Sequence, residues 1–493
     1  MSTAMRLDDL LAGHVQPGFR ADVLVRGLDL DSRRVGVGDA FVALQGTREH
    51  GIRFAANAEA AGASAVIAEA TDDPVGATLD IPLVWVDGLR EKLGAIAARF
   101  HGDASRKLRV TGITGTNGKT SIAQLLAQAL DHLGSRAATI GTLGAGLSGA
   151  IDAGERTTPD AISLQRLLAR FLEQGASDVA MEVSSHALDQ GRVNGVHFRL
   201  AVFTNLTRDH LDYHGDMDSY ANAKQRLFGM PGLIAAVINA DDAWGRRFAA
   251  ELPAEVQGIT YAIADPAADV RALDVDAHAG GLGFQLTTPW GEGRIESRLL
   301  GQFNVSNLLA VAASLGALGY GFSAIVSALA VLEPVHGRMS RLGGKAGQPL
   351  VVVDYAHTPD ALEQALRSLR AHCDGTLVCI FGCGGERDVG KRPLMAAIAE
   401  HLADAVIVTD DNPRNEDGDA IVAAIMAGFA QPDAVTIERD RRRAIERAIL
   451  GAGPGDIVLI AGKGHEPYQE VGGVRHAFDD SRIAAGALGA RAC

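Results

Sequence analysis

The stretch GITGTNGKT, Gly112 to Thr120, sets three glycines, an asparagine, a lysine and three threonines between an apolar run and the helix-like run KTSIAQLLAQALDHLG. That order suits phosphate chemistry. Glycines let the backbone approach an anion, amides at a helix start face it, a lysine reaches terminal phosphates, and the following hydroxyl can hold magnesium. The residues concerned are Gly115, Thr116, Asn117, Gly118, Lys119 and Thr120. The strict phosphate-loop spacing would put glycine at position 113, where the chain has Ile113, so the match is to the tail GTNGKT. A glycine turn with a chance Lys-Thr pair is the competing reading, and the flanking strand and helix count against it.

Other residues are ambiguous taken singly. TDDNPRNEDG, Thr409 to Gly418, offers a carboxylate, an amide and a guanidinium in Asp411, Asn412, Pro413 and Arg414. Asn-Pro and Asp-rich stretches also simply initiate turns, and on these residues alone the turn is favoured over recognition of a charged small molecule. Glu182 ends the apolar run VAMEV, a usual place for a magnesium carboxylate, although a lone strand-end glutamate is commonly solvated. His210 in TRDHLDYHG and Lys224 in YANAKQRLF are, as isolated residues, more often structural or solvent-facing.

The elements that must position these groups can be read from the chain at large. Its 493 residues are too many for one hydrophobic core, and length suggests about two to four domains. With 47% hydrophobic and 22% charged residues the chain is of the soluble globular class. A net charge of -14 argues against a broad nucleic-acid-binding face while leaving room for a local cationic pocket. Cys373, Cys379, Cys383 and Cys493 form neither a disulfide framework nor a zinc pattern, which fits a reducing compartment. The acidic residues in MSTAMRLDDLLAGHV give no export signal, so a cytoplasmic location is expected. Asn307 to Leu332 carries no charge and is long enough for a membrane span, but GYGFS interrupts it. Two buried helices joined by a turn, the second capped by Ser323, are expected instead of membrane insertion.

Short β-branched runs between Asp22 and Asp87 read as a small α/β domain. From KLRVTGITG onward, DVAMEVSS, LAVFTNLT and AAVINAD recur as apolar strands between helical segments, which predicts a mostly parallel central sheet. Beyond a glycine-rich and basic stretch near Glu333 to Leu350, the runs LVVVDYA, GTLVCIFGC, DAVIVTDDNP and DIVLIAGKG each end in a polar or glycine-rich loop. This predicts a doubly wound domain with ligands beyond the carboxyl ends of its strands. The expected fold class is α/β with three domains: 1–107, 108–337 as a central P-loop-type ATPase domain, and 338–493 as a Rossmann-like domain.

GTNGKT, TTPD at 157–160, MEVSSHAL at 181–188, TNLTRDHLDYHG at 204–215, DYAHTPD at 354–360, DNPR and GKGHE together resemble the Mur ligase family, MurE type, across almost the whole chain. The resemblance implies an ATP-dependent amide ligase of cytoplasmic peptidoglycan precursor synthesis, and so of cell wall biogenesis, cell shape and cell division. It would add meso-diaminopimelate to UDP-N-acetylmuramoyl-L-alanyl-D-glutamate through an acyl phosphate and a tetrahedral intermediate. The implied cofactors are ATP and two Mg2+ ions, with Thr120, Glu182, His210 and a carbamate formed on Lys224 from CO2 about the metals. Lys119, Glu182, His210 and Lys224 are the implied catalytic set. Asn304 resembles the family's adenine-side residue, Arg338 its γ-phosphate contact and Asp354 its ribose contact, with His357 in the same segment. A monomer is expected.

For the UDP-sugar dipeptide the family pattern maps to Leu30, Ser32, Thr157, Thr158, Ser184, Gln190 and Arg192. The chain departs from it at Arg156, where the family commonly has asparagine. For diaminopimelate it maps to Arg387, Asp411, Asn412, Pro413, Arg414, Gly462 and Glu466. Diaminopimelate carries a distal carboxylate that lysine lacks, and an arginine fork is the apt discriminator. In that context recognition at DNPR outweighs a bare turn. A folylpolyglutamate synthase shares the loop but not the DNPR and GKGHE pair. A P-loop kinase or nucleotide switch is the alternative outside the ligases, and a purely structural role leaves Lys119, Glu182, His210 and Arg414 unexplained.

Overall fold

The computed structural model describes residues 4–16, 21–46, 49–71, 78–154, 156–278, 280–345 and 347–491; Cys493 lies outside them. The chain forms two compact units, one of Met1–Tyr261 with Ala313–Tyr320, the other of Ala262–Ala312 with Gly321–Cys493.

The first unit holds two main sheets, besides the short antiparallel pair Met5–Arg6 with Leu24–Val25. Strands Leu28–Asp29, Ala40–Ala43, Ala65–Glu69 and Leu83–Val86 pair in parallel in that order. Their inward residues Ala40, Val42, Ala65, Ile67, Val84 and Val86 share a core with Leu89, Leu93 and Ile96 of helix Leu89–Phe100. In the larger sheet the order runs Ala150–Asp152, Gly144–Leu147, Ala137–Gly141, Asp178–Glu182, Arg109–Thr114, Phe198–Phe203, Ala235–Asn239, Gln257–Ala262. The six strands from Ala137–Gly141 onward are mutually parallel, as the uninterrupted apolar runs predict for a sheet covered on both faces. Helix Ala161–Glu173 starts at Asp160, whose side chain accepts from the amides of Ile162 and Ser163, a cap worth about 1 kcal/mol.

The second unit contains an antiparallel meander, Val270–His278, Gly281–Thr288 and Gly291–Ser297. It also contains a sheet ordered Ser340–Gly343, Leu350–Asp354, Ile457–Ala461, Leu377–Phe381, Ala405–Val408, Thr436–Ile437, parallel except for its first strand. Alternation along these strands fills both faces. Val352, Cys379, Phe381, Val408 and Leu459 join one core, and Val351, Val353, Ile380, Ile407, Val458 and Ile460 join the other. Each fully buried aliphatic side chain of this kind contributes about 1.5–3 kcal/mol. Period two with both faces buried is why these strands read as continuous hydrophobic runs, and the doubly wound expectation holds.

The uncharged stretch near residue 307 forms helices Phe303–Ala317 and Phe322–Ala330 with a turn between, and no described helix is long and apolar enough to cross a membrane. The expected Ser323 cap is corrected: the second helix starts at Gly321, with no side-chain cap. Ser323 falls inside the first turn, two residues past the cap position from which a hydroxyl would meet the free amides.

Candidate functional site

In the first unit, GTNGKT leaves strand Arg109–Thr114 and enters helix Lys119–His132 at Gly118. The loop is clamped against the end of strand Phe198–Phe203. The Thr116 amide donates to the Asn205 carbonyl at 2.8 Å, the Asn117 amide to Asn205 Oδ1 at 3.0 Å, and Thr204 Oγ1 to the Asn117 carbonyl at 2.6 Å. Gly115 takes φ +143°, and a Cβ there would meet Thr204 Oγ1 at 1.9 Å. Lys119 Nζ folds back onto the carbonyls of Gly115 and Thr116 at 2.9 and 2.8 Å, so its charge lies inside the loop.

Lys224, on helix Met217–Gln225, is not a solvent-facing lysine. It is 1% exposed, donates to the Gly115 carbonyl at 2.7 Å and lies 4.5 Å from the Tyr220 ring centroid. Burial, and then the neighbouring Lys119 charge, push its amine well below the ordinary lysine value.

Glu182 ends strand Asp178–Glu182 and is 1% exposed. Its carboxylate accepts from the Thr142 amide at 2.8 Å and from Thr142 Oγ1 at 3.3 Å, and it has no cationic partner among the described residues. Buried charges are paired or hold metals, so this carboxylate fits a cation ligand. No group of three or more His, Cys, Asp or Glu is assembled for a metal among the described residues. A carboxylate oxygen such as that of Glu182 is a donor of the kind magnesium takes, which completes its shell with phosphate and water.

His210 sits at φ +54°, half exposed, 3.4 Å from Asp209 and with its ring centroid 4.9 Å from that of His186. His186 and His214 are both shifted down by burial, reinforced at His186 by the neighbouring histidines and opposed at His214 by Asp189. The sequence reading missed this aromatic and histidine cluster, which Tyr213 and Tyr220 complete. HLDYH carries its local spacing, but nothing marked His186 as its neighbour.

The residues assigned to the UDP-sugar dipeptide separate into two groups. Leu30, Ser32 and Arg156 line a cavity of ≈ 1030 Å³ together with Arg33, Arg34, Arg166 and Arg170. Thr157, Thr158, Ser184, Gln190 and Arg192 form a hydrogen-bonded string instead. Thr157 Oγ1 lies 3.1 Å from Thr142 Oγ1. Thr158 is 1% exposed and gives its hydroxyl proton to the Glu182 carbonyl at 2.8 Å, while the Ser184 amide donates to Thr158 Oγ1 at 3.1 Å. Arg192 Nε donates to Gln190 Oε1 at 2.9 Å and its Nη1 to the Thr158 carbonyl at 3.1 Å. Thr142, absent from the sequence reading, joins this string to Glu182; the two lie far apart in sequence and meet only through strand pairing.

In the second unit, Asp354 ends strand Leu350–Asp354 and accepts from the Met339 amide at 2.7 Å. Burial raises its pKa, opposed by the Arg338 charge. Arg338 lies 4.7 Å from the Tyr355 ring centroid, and His357 Nδ1 donates to the Tyr355 carbonyl at 2.8 Å. Asn304 is buried, donating to the Leu300 carbonyl at 2.8 Å and accepting from Asn307 at 2.8 Å.

DNPR follows strand Ala405–Val408 and does turn the chain, with the Glu416 amide donating to the Pro413 carbonyl at 3.1 Å. It also converges with GKGHE. Asn412 Nδ2 donates to Glu466 Oε2 at 2.8 Å, and a Cβ at Gly462 would meet Asp411 Oδ2 at 2.5 Å. Asp411 is 7% exposed, and burial raises its pKa against the pull of Arg441 and Lys463. Arg414 adopts φ +54°, uncommon without glycine, and reaches the Gly385 carbonyl. A Cβ at Gly384 would meet Arg414 Nη1 at 3.1 Å and Arg387 Cγ at 3.7 Å, so both arginines flank one glycine. Three buried cations escaped the sequence reading: Lys463, Arg392 on Glu416, and Arg441 in a bidentate pair with Asp480 at 2.8 and 2.7 Å.

Family profiles match along the chain: "Mur ligase family, catalytic domain" over residues 24–101, "Mur ligase middle domain" over 113–315, and "Mur ligase, glutamate ligase domain" over 337–464. A Xanthomonas oryzae pv. oryzae protein named UDP-N-acetylmuramoyl-L-alanyl-D-glutamate--2,6-diaminopimelate ligase is 56% identical, with 99% of this chain and 98% of that one covered. The Pseudomonas aeruginosa protein of the same name is 53% identical, over 96% and 97%. A solved structure of a ligase with that name superposes with a TM-score of 0.76 at 38% identity, covering 100% of both chains. A phosphate loop sealed by the adjoining strand, a buried lysine beneath it and an unpaired strand-end carboxylate thus occur in a sequence related over its whole length to these enzymes, and the chain belongs to the Mur ligase family.

Proposed function

We infer that this chain is an ATP-dependent ligase that adds meso-2,6-diaminopimelate to UDP-N-acetylmuramoyl-L-alanyl-D-glutamate in peptidoglycan precursor synthesis. The observation that carries the reading is kinship at 56% identity over 99% of the chain with a relative of that name. Joining an amine to a carboxylate at neutral pH needs a leaving group. ATP supplies it by phosphorylating the substrate carboxylate; the amine attacks the acyl phosphate, and the tetrahedral intermediate expels phosphate.

The chain's own residues have clear tasks in this scheme. The amides at the helix start of GTNGKT, beyond the two that Asn205 holds, cradle phosphates, and Lys119, held inside the loop, supplies positive charge there. Asn304, Arg338, Asp354 and His357 are assigned to the rest of the nucleotide. Thr120, Glu182, His210 and a carbamate on Lys224 would hold two magnesium ions, which when bound neutralise charge on the transferring phosphoryl group. The carbamate is chemically apt: burial lowers the pKa of this amine and so favours its neutral form, the form that adds to CO2. Its product is an anion in place of a cation beside Lys119.

The cavity at Leu30, Ser32 and Arg156 takes the UDP moiety, and Thr157, Thr158, Ser184, Gln190 and Arg192 orient the sugar-dipeptide end. Arg387 and Arg414 pair the distal carboxylate of diaminopimelate, while Asp411 and Glu466 receive its ammonium, Asn412 and Gly462 hold those two carboxylates in place and so fix stereochemistry, and Pro413 shapes the turn. We take the functional domains as 1–107, 108–337 and 338–493, the chain as a monomer, and its compartment as the cytoplasm.

The test is phosphate release with magnesium, ATP and the UDP-sugar dipeptide, comparing meso-diaminopimelate with L-lysine. Release that depends on diaminopimelate supports the reading. Preference for lysine keeps the ligase and removes the account of Arg414; release independent of any amine points to a kinase or a nucleotide switch.

A further inference from the structure

Lys463, the lysine of GKGHE, is 0% exposed, and its ammonium is committed internally. Nζ donates to Asn412 Oδ1 at 3.0 Å and to Glu466 Oε2 at 3.1 Å, and lies 5.6 Å from the Tyr468 ring centroid. Asn412 is thereby fixed in one of its two amide orientations. Its Oδ1 accepts from Lys463 and from the Glu470 amide at 3.0 Å, and its Nδ2 donates to Glu466 Oε2. A flipped amide would set its NH2 against two donors.

The same contacts decide which acceptors stay open. Glu466 Oε2 is taken twice, which leaves Oε1 without a hydrogen-bond partner among the described residues. The Asp411 carboxylate accepts no hydrogen bond among the described residues either, and it lies beside Gly462 at the head of the same loop. Beneath them, Arg441 is held bidentately by Asp480, donates to the Ala461 carbonyl at 3.0 Å and reaches the Asp410 carbonyl at 3.5 Å. These are the backbone positions from which the GKGHE and DNPR loops leave the sheet. Both cations also favour the ionised form of Asp411 against its burial.

We propose that Lys463 is a positioning residue of the amino-acid pocket: its buried ammonium fixes Asn412 and turns Glu466 so that Glu466 Oε1 and the Asp411 carboxylate face an incoming ammonium group. Lys463 itself does not touch the amino acid. The proposal rests on the diaminopimelate-binding role assigned to this locus above. It explains why a lysine stands at the centre of a pocket that must attract a cation: one internal ammonium, held permanently, orients the acceptors for the second.

The experiment is steady-state phosphate release by wild type, Lys463→Met and Lys463→Gln, with KM determined separately for diaminopimelate, ATP and the UDP-sugar dipeptide. Losing a charge-assisted hydrogen-bond pair that orients the acceptors raises the diaminopimelate KM by about tenfold or more in Lys463→Met. The increase is smaller in Lys463→Gln, whose amide still donates to one acceptor. The other two KM values stay within about twofold and kcat within about threefold, a split that general loosening of the domain would not produce. Lys463→Met leaves Glu466 with one fewer partner; if that variant does not fold, Lys463→Gln carries the same comparison. An unchanged diaminopimelate KM in a folded variant overturns the proposal, as does an equal rise in all three KM values. Wild-type phosphate release that ignores the amine overturns the ligase reading itself and is seen without any variant.

Discussion

Replacing Gly115 by alanine tests whether the phosphate loop is shaped by the strand beside it. The added Cβ would meet Thr204 Oγ1 at 1.9 Å and the Asn205 carbonyl oxygen at 3.0 Å, and the backbone would have to keep φ +143°. Holding a residue with a Cβ in so sparsely populated a region costs about 1–3 kcal/mol. Moving Thr204 aside also breaks its 2.6 Å bond to the Asn117 carbonyl, about 1 kcal/mol more. The sum, about 2–4 kcal/mol, divides between two readouts. If the loop keeps its shape the chain loses stability; if it yields, ATP binding weakens, by about 30-fold at the lower bound.

Urea denaturation and nucleotide titration of the same variant measure the two parts. Gly134→Ala is the control, because Gly134 has φ +84° with nothing within 4 Å of the new Cβ. It isolates a positive-φ cost of about 1 kcal/mol at a helix end and leaves ATP binding unchanged. The double variant Gly115→Ala/Thr204→Ala relieves the collision but not the backbone, so the two substitutions should be non-additive. Gly115→Ala indistinguishable from Gly134→Ala in both readouts would refute the clamp.

Three further outcomes follow from charged side chains, two of them buried. Lys224 has a folded pKa below its unfolded value, so the unfolded chain binds the extra proton and this lysine's penalty shrinks as pH rises. In CO2-free buffer wild type should gain about 1.4 kcal/mol per pH unit on Lys224→Met while approaching the unfolded value of about 10.4, and parallel denaturation curves would contradict this. Asp480→Ala strands the Arg441 charge and should cost about 3–5 kcal/mol in urea denaturation, with Arg441→Met/Asp480→Leu recovering a good part; a single-variant loss below about 1 kcal/mol would show the pair to be slack. Arg414→Ala should raise the diaminopimelate KM by about tenfold to a hundredfold and narrow the preference over lysine, and an unchanged preference ratio would remove Arg414 from specificity.

The sequence disclosed those parts of the site that announce themselves locally. GTNGKT is contiguous, and its glycines and lysine serve the loop they sit in, so composition and flanking elements sufficed. The Rossmann-like sheet was legible because burial on both faces leaves runs such as LVVVD and IVLIA unbroken by polar residues. Buried cations were not. Lys463, Arg441 and Arg392 stand among glycines or charged neighbours that suggest solvent, and only pairing with Glu466, Asp480 and Glu416 places them inside. Thr142 escaped for a related reason: it serves Glu182 from the turn after strand Ala137–Gly141, and no period or spacing encodes that meeting.

One physical constraint accounts for where the legible and the hidden residues converge. Strands buried on both faces cannot carry polar chemistry along their length, since every unpaired polar group there is penalised, so that chemistry is displaced to the strand ends. In the first unit Thr114 leads to Gly115, Glu182 closes its strand, and Thr204 follows Phe203. In the second, Asp354 closes one strand, Asp411 follows Val408, and Gly462 follows Ala461. Parallel pairing then aligns these ends. Glu182 lies in register with Ile113 of the strand feeding the phosphate loop, and Asp354 with Ala461 of the strand feeding GKGHE. Motifs far apart in sequence meet because each lies at the end of an apolar run or within three residues beyond it. Residues inside the runs decide whether the sheet forms; those just past them decide what it binds.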